Sequence, residues 1–142
     1  MARVLGIDFG ERRVGLALSD PSATIAQPLP TLTRRAGKRP PITAIAEIIT
    51  AHEVDRIVIG LPLNLAGEET EWTAAVREFA ARLQQRAGVP VEFLDERLTS
   101  VQAERAVRAS GLKRSDREQK HRIDAAAAVL LLQTYLDRNP RS

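Results

Sequence analysis

The sequence predicts an α/β domain built on a five-stranded mixed sheet flanked by helices. Two observations carry this. The first quarter of the chain holds three strand-like runs joined by short turns, and two later apolar runs each follow a segment of helical periodicity. Strands joined by hairpins pair antiparallel and strands joined through helices pair parallel, so one sheet has to contain both relations.

The elements follow in order. The runs "RVLGIDFG" and "RRVGLALSD" are separated only by Gly10 and Glu11, which predicts an antiparallel hairpin. "TIAQPLPTLTR" supplies a third strand, placed at an edge because Pro28 and Pro30 each remove a ladder donor. After the Pro40-Pro41 start signal, Ile42, Ile45, Ala46, Ile48 and Ile49 recur at helical spacing, predicting a helix from Ile42 to His52. "RIVIGLP" is a β-branched run of the kind covered on both faces.

A long helix is expected from Glu69 to Ala87, with Trp72, Ala75, Val76, Phe79, Ala80 and Leu83 on one stripe and Gly88 as its stop. "VPVEFLDE" is the fifth strand. Thr99 or Ser100 caps a further helix through Ala109, ended by Gly111. "LKRSDREQKHR" is polar and basic and is the candidate flexible segment, and a last helix is expected from Arg122 to Asp137.

Length and composition bound the function. With 142 residues, 44% of them hydrophobic, residues 1–142 are expected to form a single domain with a sizeable core. Twenty-one Lys and Arg against eighteen Asp and Glu give a net charge of +3, a weak pointer to nucleic acid. The absence of cysteine excludes disulfides, thiolate zinc sites and a cysteine nucleophile. "MARVLGIDFG" lacks a signal-peptide core and no apolar run reaches the length of a membrane span, so a cytoplasmic protein without membrane association is expected.

Three carboxylates stand out. Asp8 interrupts the first strand beside Ile7 and Phe9, where a charge is costly without a compensating partner. Asp95 and Glu96 end the fifth strand, at the sheet edge where ligands of open α/β sheets bind, and alternation allows one of the two to join Asp8. Asp124 opens "RIDAAAAVLLL", whose alanines allow a close approach to the sheet. Singly, each also has an ordinary structural use: a turn or cap carboxylate, a surface ion pair of Glu96 with Arg97, a favourable charge in a first helical turn. Together, three acids on three elements suggest an oxygen-ligand site for a hard divalent ion, with phosphate completing its shell.

Four blocks, "GIDFGERRVGLALSD", "GLPLNLAGEE", "LDERLTS" and "RIDAAAAVLLLQTYL", resemble in order and spacing the signature blocks of the YqgF family, described as pre-16S rRNA nucleases and as Holliday-junction-resolvase-like proteins. The resemblance runs from Val4 to Leu136. It implies an RNase H-like fold and a metal-dependent nuclease, endonuclease-type, that processes the 5′ end of the pre-16S rRNA in ribosome biogenesis. Carried over block by block, the catalytic and metal-binding residues would be Asp8, Glu96 and Asp124, with Mg²⁺ or Mn²⁺ as cofactor. Many relatives have Thr where this chain has Glu11, and related resolvases often have a fourth acid where this chain has His121.

Asn64 in the glycine-bracketed loop, Arg97 and Thr99 after the second acid, and Lys113, Arg114 and Lys120 in the basic segment are candidate substrate contacts, each with a plain structural alternative. "RRAGKR", Arg34 to Arg39, is a second basic segment. With 4% aromatic residues, backbone and shape contacts are expected to outweigh base stacking. The partners expected are precursor rRNA, branched DNA as the alternative, and ribosomal particles. No interface motif sets the oligomeric state, so a monomer or weak homodimer is expected.

Two other classes of function remain. "GIDFG" also resembles the first phosphate motif of actin-like ATPases and sugar kinases, but those enzymes close two lobes around a nucleotide and this chain has the length of one. A non-catalytic ribosome-assembly or nucleic-acid-binding factor would keep the fold without turnover.

Overall fold

In the computed structural model, residues 3–34, 39–99 and 117–140 are described, the last stretch with side chains from Ala125 onward. Strand β1 (Arg3–Phe9) turns through Gly10 to Arg12 into β2 (Arg13–Ser19), and β3 (Ala26–Thr33) follows. Then come α1 (Ile42–Ala51), β4 (Val54–Leu61), α2 (Glu71–Ala87), β5 (Val91–Asp95), a single 3₁₀ turn (Glu96–Leu98) and α3 (Arg117–Arg138). The helix expected from Thr99 to Ala109 lies outside the described residues.

The five strands form one sheet in the order β3-β2-β1-β4-β5. β1 is central, antiparallel to β2 and parallel to β4, which is in turn parallel to β5. The proline-bearing β3 is at the edge, with Pro28 level with Ala17 of β2. The first turn is tight because Gly10 donates its amide to the Arg13 carbonyl at 2.9 Å. A Cβ at Gly10 would stand 2.6 Å from that same oxygen.

Strand alternation divides the core into two layers. Leu5, Ile7 and Phe9 of β1 point to the face covered by α1 and α2, where they pack with Ile45, Ile49, Val76, Phe79 and Leu83. Val4, with Ala17, Val58 and Leu94 from the other strands, points to the opposite face and meets Ala128, Leu131, Leu132, Tyr135 and Leu136 of α3. Gly6 lies on this second face, and the Leu132 Cβ stands 2.8 Å from where a Gly6 Cβ would be. The helix therefore rides directly on the strand backbone.

Local signals set the helix ends. Thr70 and Thr73 form a reciprocal capping box at the start of α2, and Gly88 ends it in the left-handed region at φ 69°. The last helix begins at Arg117, five residues before the expected start at Arg122. "REQKH" carries no apolar stripe and so resembles a flexible basic segment, but Arg, Glu, Gln and Lys are strong helix formers and extend the helix outward.

Candidate nuclease site

The direction of α3 fixes which end of the sheet carries chemistry. Near its C-terminus, the Tyr135 hydroxyl accepts a hydrogen bond from Arg56 at 2.9 Å and donates one to Glu92, both early in their strands. Ala128 and Leu132 lie over Gly6 in mid-strand. The N-terminal part of α3 thus extends toward the C-terminal ends of β1, β4 and β5, where ligands of parallel sheets bind.

Asp8 stands near that end of β1 and is 5% exposed. Alternation puts it on the α3 face with Val4 and Gly6. Ile7 pairs with Ile59, so the next positions, Asp8 and Gly60, are side by side on neighbouring strands and share that face. Glu96 is the first residue after β5, in step with Leu94, and is 2% exposed.

The two acids are separated by β4, and two strand spacings span roughly 10 Å. Gly60 closes the distance. The Glu96 carboxylate lies over it, with Oε1 2.7 Å and Cγ 3.1 Å from the place a Gly60 Cβ would occupy. Because Gly60 has no side chain, Glu96 folds back across β4 toward Asp8. Burial pushes the Glu96 carboxyl up to about 7, and the negative charge of Asp95 adds to the shift.

Asp95 has the opposite environment. Its carboxylate accepts from the Arg97 guanidinium at 2.7, 3.0 and 3.2 Å and from the Arg97 amide at 2.9 Å. The Arg97 hydrogen bonds hold its carboxyl below the usual range. One acid of the Asp95-Glu96 pair is therefore an ion-pair partner and the other is buried over the sheet, as alternation requires.

The remaining candidates divide. Arg97 lies against Gly67, with Nη1 2.8 Å from a notional Cβ there, and so joins the end of β5 to the loop after β4. Asn64 organises that loop: its Oδ1 accepts from the Ala66 and Glu68 amides at 3.0 and 2.9 Å. The Asn64 and Gly67 amides also donate within the loop. Thr99 closes the 3₁₀ turn, donating its hydroxyl to the Glu96 carbonyl at 2.9 Å. Glu11 is exposed in the β1–β2 turn.

Asp124 is on α3, one turn before Ala128, on the part of the helix directed toward Asp8 and Glu96; its side chain, with those of Lys120 and His121, lies outside the described ones. Lys113 and Arg114 lie outside the described residues altogether. Among the described residues, no group of three His, Asp or Glu side chains is placed to hold a metal. The donor chemistry of the two placed acids fits a hard cation: both offer oxygen, both are buried, and the Glu96 carboxylate lies over Gly60 beside Asp8.

Sequence reasoning missed the part played by Gly60, which it has only as one of the two glycines that bracket the Asn64 loop. The available signal was a glycine closing an apolar β-run one strand away from a mid-strand acid.

A mixed sheet with an acid on its central strand and a second acid folded over the neighbouring strand has the layout of an RNase H-like fold. The comparisons agree. The family model described as "RuvX: Holliday junction resolvase" matches residues 2–138. A relative from Anaeromyxobacter sp. (strain K), named "Putative pre-16S rRNA nuclease", is 46% identical over 136 residues, covering 96% of this chain and 97% of its own length. One of the same name from Koribacter versatilis (strain Ellin345) is 44% identical over 136 residues, covering 96% of this chain and 87% of its own.

Two solved structures share the fold. T. thermophilus RuvC in complex with a Holliday junction substrate has a TM-score of 0.60 at 18% identity, with 99% of each chain covered. The fowlpox virus resolvase in complex with Holliday junction DNA has a TM-score of 0.57 at 10% identity, covering 96% of this chain and 97% of that one. The chain belongs to the RuvX family, the family its four sequence blocks resemble under the name YqgF.

Proposed function

We propose that the protein is a divalent-metal-dependent endonuclease that cleaves precursor 16S rRNA near its 5′ end, acting as a single domain over residues 1–142. The observation that supports the reading is the Glu96 carboxylate lying over Gly60, the neighbour of Asp8 on the adjacent strand, with both acids buried. A buried carboxylate pair is costly in a protein that does not use it. The names of the relatives supply the substrate.

Asp8, Glu96 and Asp124 would hold the ion, Mg²⁺ or Mn²⁺. When bound, the cation neutralises the acids and supplies positive charge to the phosphate under attack. The chain's own residues do the rest. Asp8, fixed in the central strand, and Glu96, fixed by its packing on Gly60, hold their oxygens without further ordering at the moment of reaction. A carboxylate at this site would orient the attacking water and accept its proton as the water oxygen bonds to phosphorus and the P–O bond to the leaving oxygen breaks, the leaving oxygen taking a proton from solvent. Arg97, tied to Asp95, keeps the loop after β4 and the Glu96 turn in register. Lys113, Arg114 and Lys120 would meet phosphates flanking the cut.

Asp8→Asn keeps shape and removes charge. The variant is expected to lose at least a hundredfold in metal-dependent cleavage of a precursor rRNA fragment while still binding it. Cleavage at the wild-type rate would overturn the catalytic assignment. Cleavage of a four-way DNA junction but of no RNA would reassign the substrate to branched DNA, and retained binding without turnover in the wild type would leave a ribosome-assembly factor.

A further inference from the structure

A second concavity lies beyond the acids, on the side of the molecule where Phe9 rather than Asp8 faces. It has a volume of about 330 Å³ and is lined by Phe9, Trp72, Arg34, Arg39, Glu78 and Arg82 among others. That size falls in the range of small-ligand sites, about 300–1,000 Å³. Its floor is aromatic. The buried Phe9 ring is stacked on Phe79 with centroids 4.1 Å apart and on Trp72 with centroids 5.5 Å apart, and the Arg34 guanidinium lies 4.8 Å from the Phe9 centroid, so Trp72 is the partly exposed ring of the stack.

Its rim is cationic. Three arginines face a single glutamate, Glu78, which is paired with Arg82 at 3.1 Å. A flat apolar surface bordered by guanidinium groups suits a flat ring joined to an anion. The cavity also adjoins a second one beside Asp8. Phe9 and Trp72 line, in addition, a cavity of about 470 Å³ over the β1–β2 turn, with Asp8, Gly10, Glu11, Arg12 and Arg13.

The geometry points to a nucleotide-binding subsite at Trp72: a nucleobase stacks on the partly exposed Trp72 ring, which Phe9 backs from beneath, and its phosphate is held by Arg39 and Arg82. The ligand class is a nucleoside phosphate, either one unit of the substrate strand leading away from the acids or a free mononucleotide. As a subsite of the substrate it rests on the nuclease reading, but binding there requires no turnover. The low aromatic content of the chain does not oppose it, since one platform beside the cut is sufficient for one base.

The experiment exploits the fact that Trp72 is the chain's single tryptophan. Metal-free protein in EDTA is titrated with AMP and, separately, with a labelled ten-nucleotide oligoadenylate, following tryptophan fluorescence and the anisotropy of the label. Saturable quenching is expected, with the dissociation constant raised about tenfold in Arg39→Ala/Arg82→Ala, a pair of exposed substitutions compatible with folding. Trp72→Leu is expected to weaken oligonucleotide binding by a similar factor. Quenching by AMP with the oligonucleotide's plateau identifies a mononucleotide site, and quenching by the oligonucleotide alone identifies a subsite of the strand. Absence of saturable quenching by either, or quenching unaltered by the arginine substitutions, overturns the proposal. Loss of cleavage in Asp8→Asn is independent of all these readings, so the subsite and the nuclease assignment fail separately.

Discussion

Gly60 determines where the Glu96 carboxylate can lie. A Cβ there would stand 2.7 Å from Glu96 Oε1 and 3.2 Å from Leu131 Cδ1, so Gly60→Ala has to displace the acid or the helix above it. Displacing the end of a side chain is the easier adjustment. Gly60→Ala is expected to reduce cleavage at least tenfold with a stability loss of about 1–3 kcal/mol, checked by a cleavage assay beside thermal melts. Glu96 itself links stability to pH. Its carboxyl is raised from 4.5 to about 7 in the folded protein, so the folded state holds the proton more tightly than the unfolded chain. In metal-free protein this contribution is complete below about pH 4.5 and is lost as pH rises through about 7, by roughly 2–4 kcal/mol at full shift. Melts in EDTA at pH 5 and pH 8 should show that loss, and Glu96→Gln should flatten it. Asp8 and Glu96 were legible in the sequence as acids where a strand and a strand end do not need them. The position of Glu96 over the strand next to Asp8 was not, because it depends on the register of β1 with β4 and on the missing side chain at Gly60.

At the scale of elements, α3 is held against the sheet by glycine. Gly6→Ala would place a methyl group 2.8 Å from the Leu132 Cβ, a rigid neighbour close to its own backbone. The helix would have to lift, and a stability loss of about 1–3 kcal/mol is expected by denaturant titration, with cleavage falling as well because the same helix carries Asp124. The strands were legible because alternation and apolar runs mark them, and the edge position of β3 followed from its two prolines. The start of α3 was less so. Charged helix formers and a solvated basic loop share a composition, and no apolar stripe distinguishes "REQKH" as helical. The 3₁₀ turn after β5 was equally invisible, since Thr99 caps it through contacts within four residues that resemble the opening of an ordinary helix.

For the whole molecule, the charge balance is mild, at +3 in total. RNA binding is therefore expected to rest on a few arranged contacts rather than on bulk attraction. With about four phosphates neutralised, affinity should fall roughly a hundredfold between 50 and 200 mM salt, measured by filter binding or anisotropy. A far steeper decline would indicate a larger contact surface than the acidic end of the sheet and the Trp72 cavity provide. The layering of the core has a further consequence. One side of the sheet is closed by α1 and α2, which precede β5, whereas among the described residues the other is closed by α3, which follows all five strands. During synthesis, Val4, Ala17, Val58 and Leu94 therefore gain the cover of α3 only after all five strands have been made, and Asp8 and Glu96 share that delay. The proposed acid site is completed by the last of its described elements to be synthesised, so its assembly has to follow the formation of the sheet.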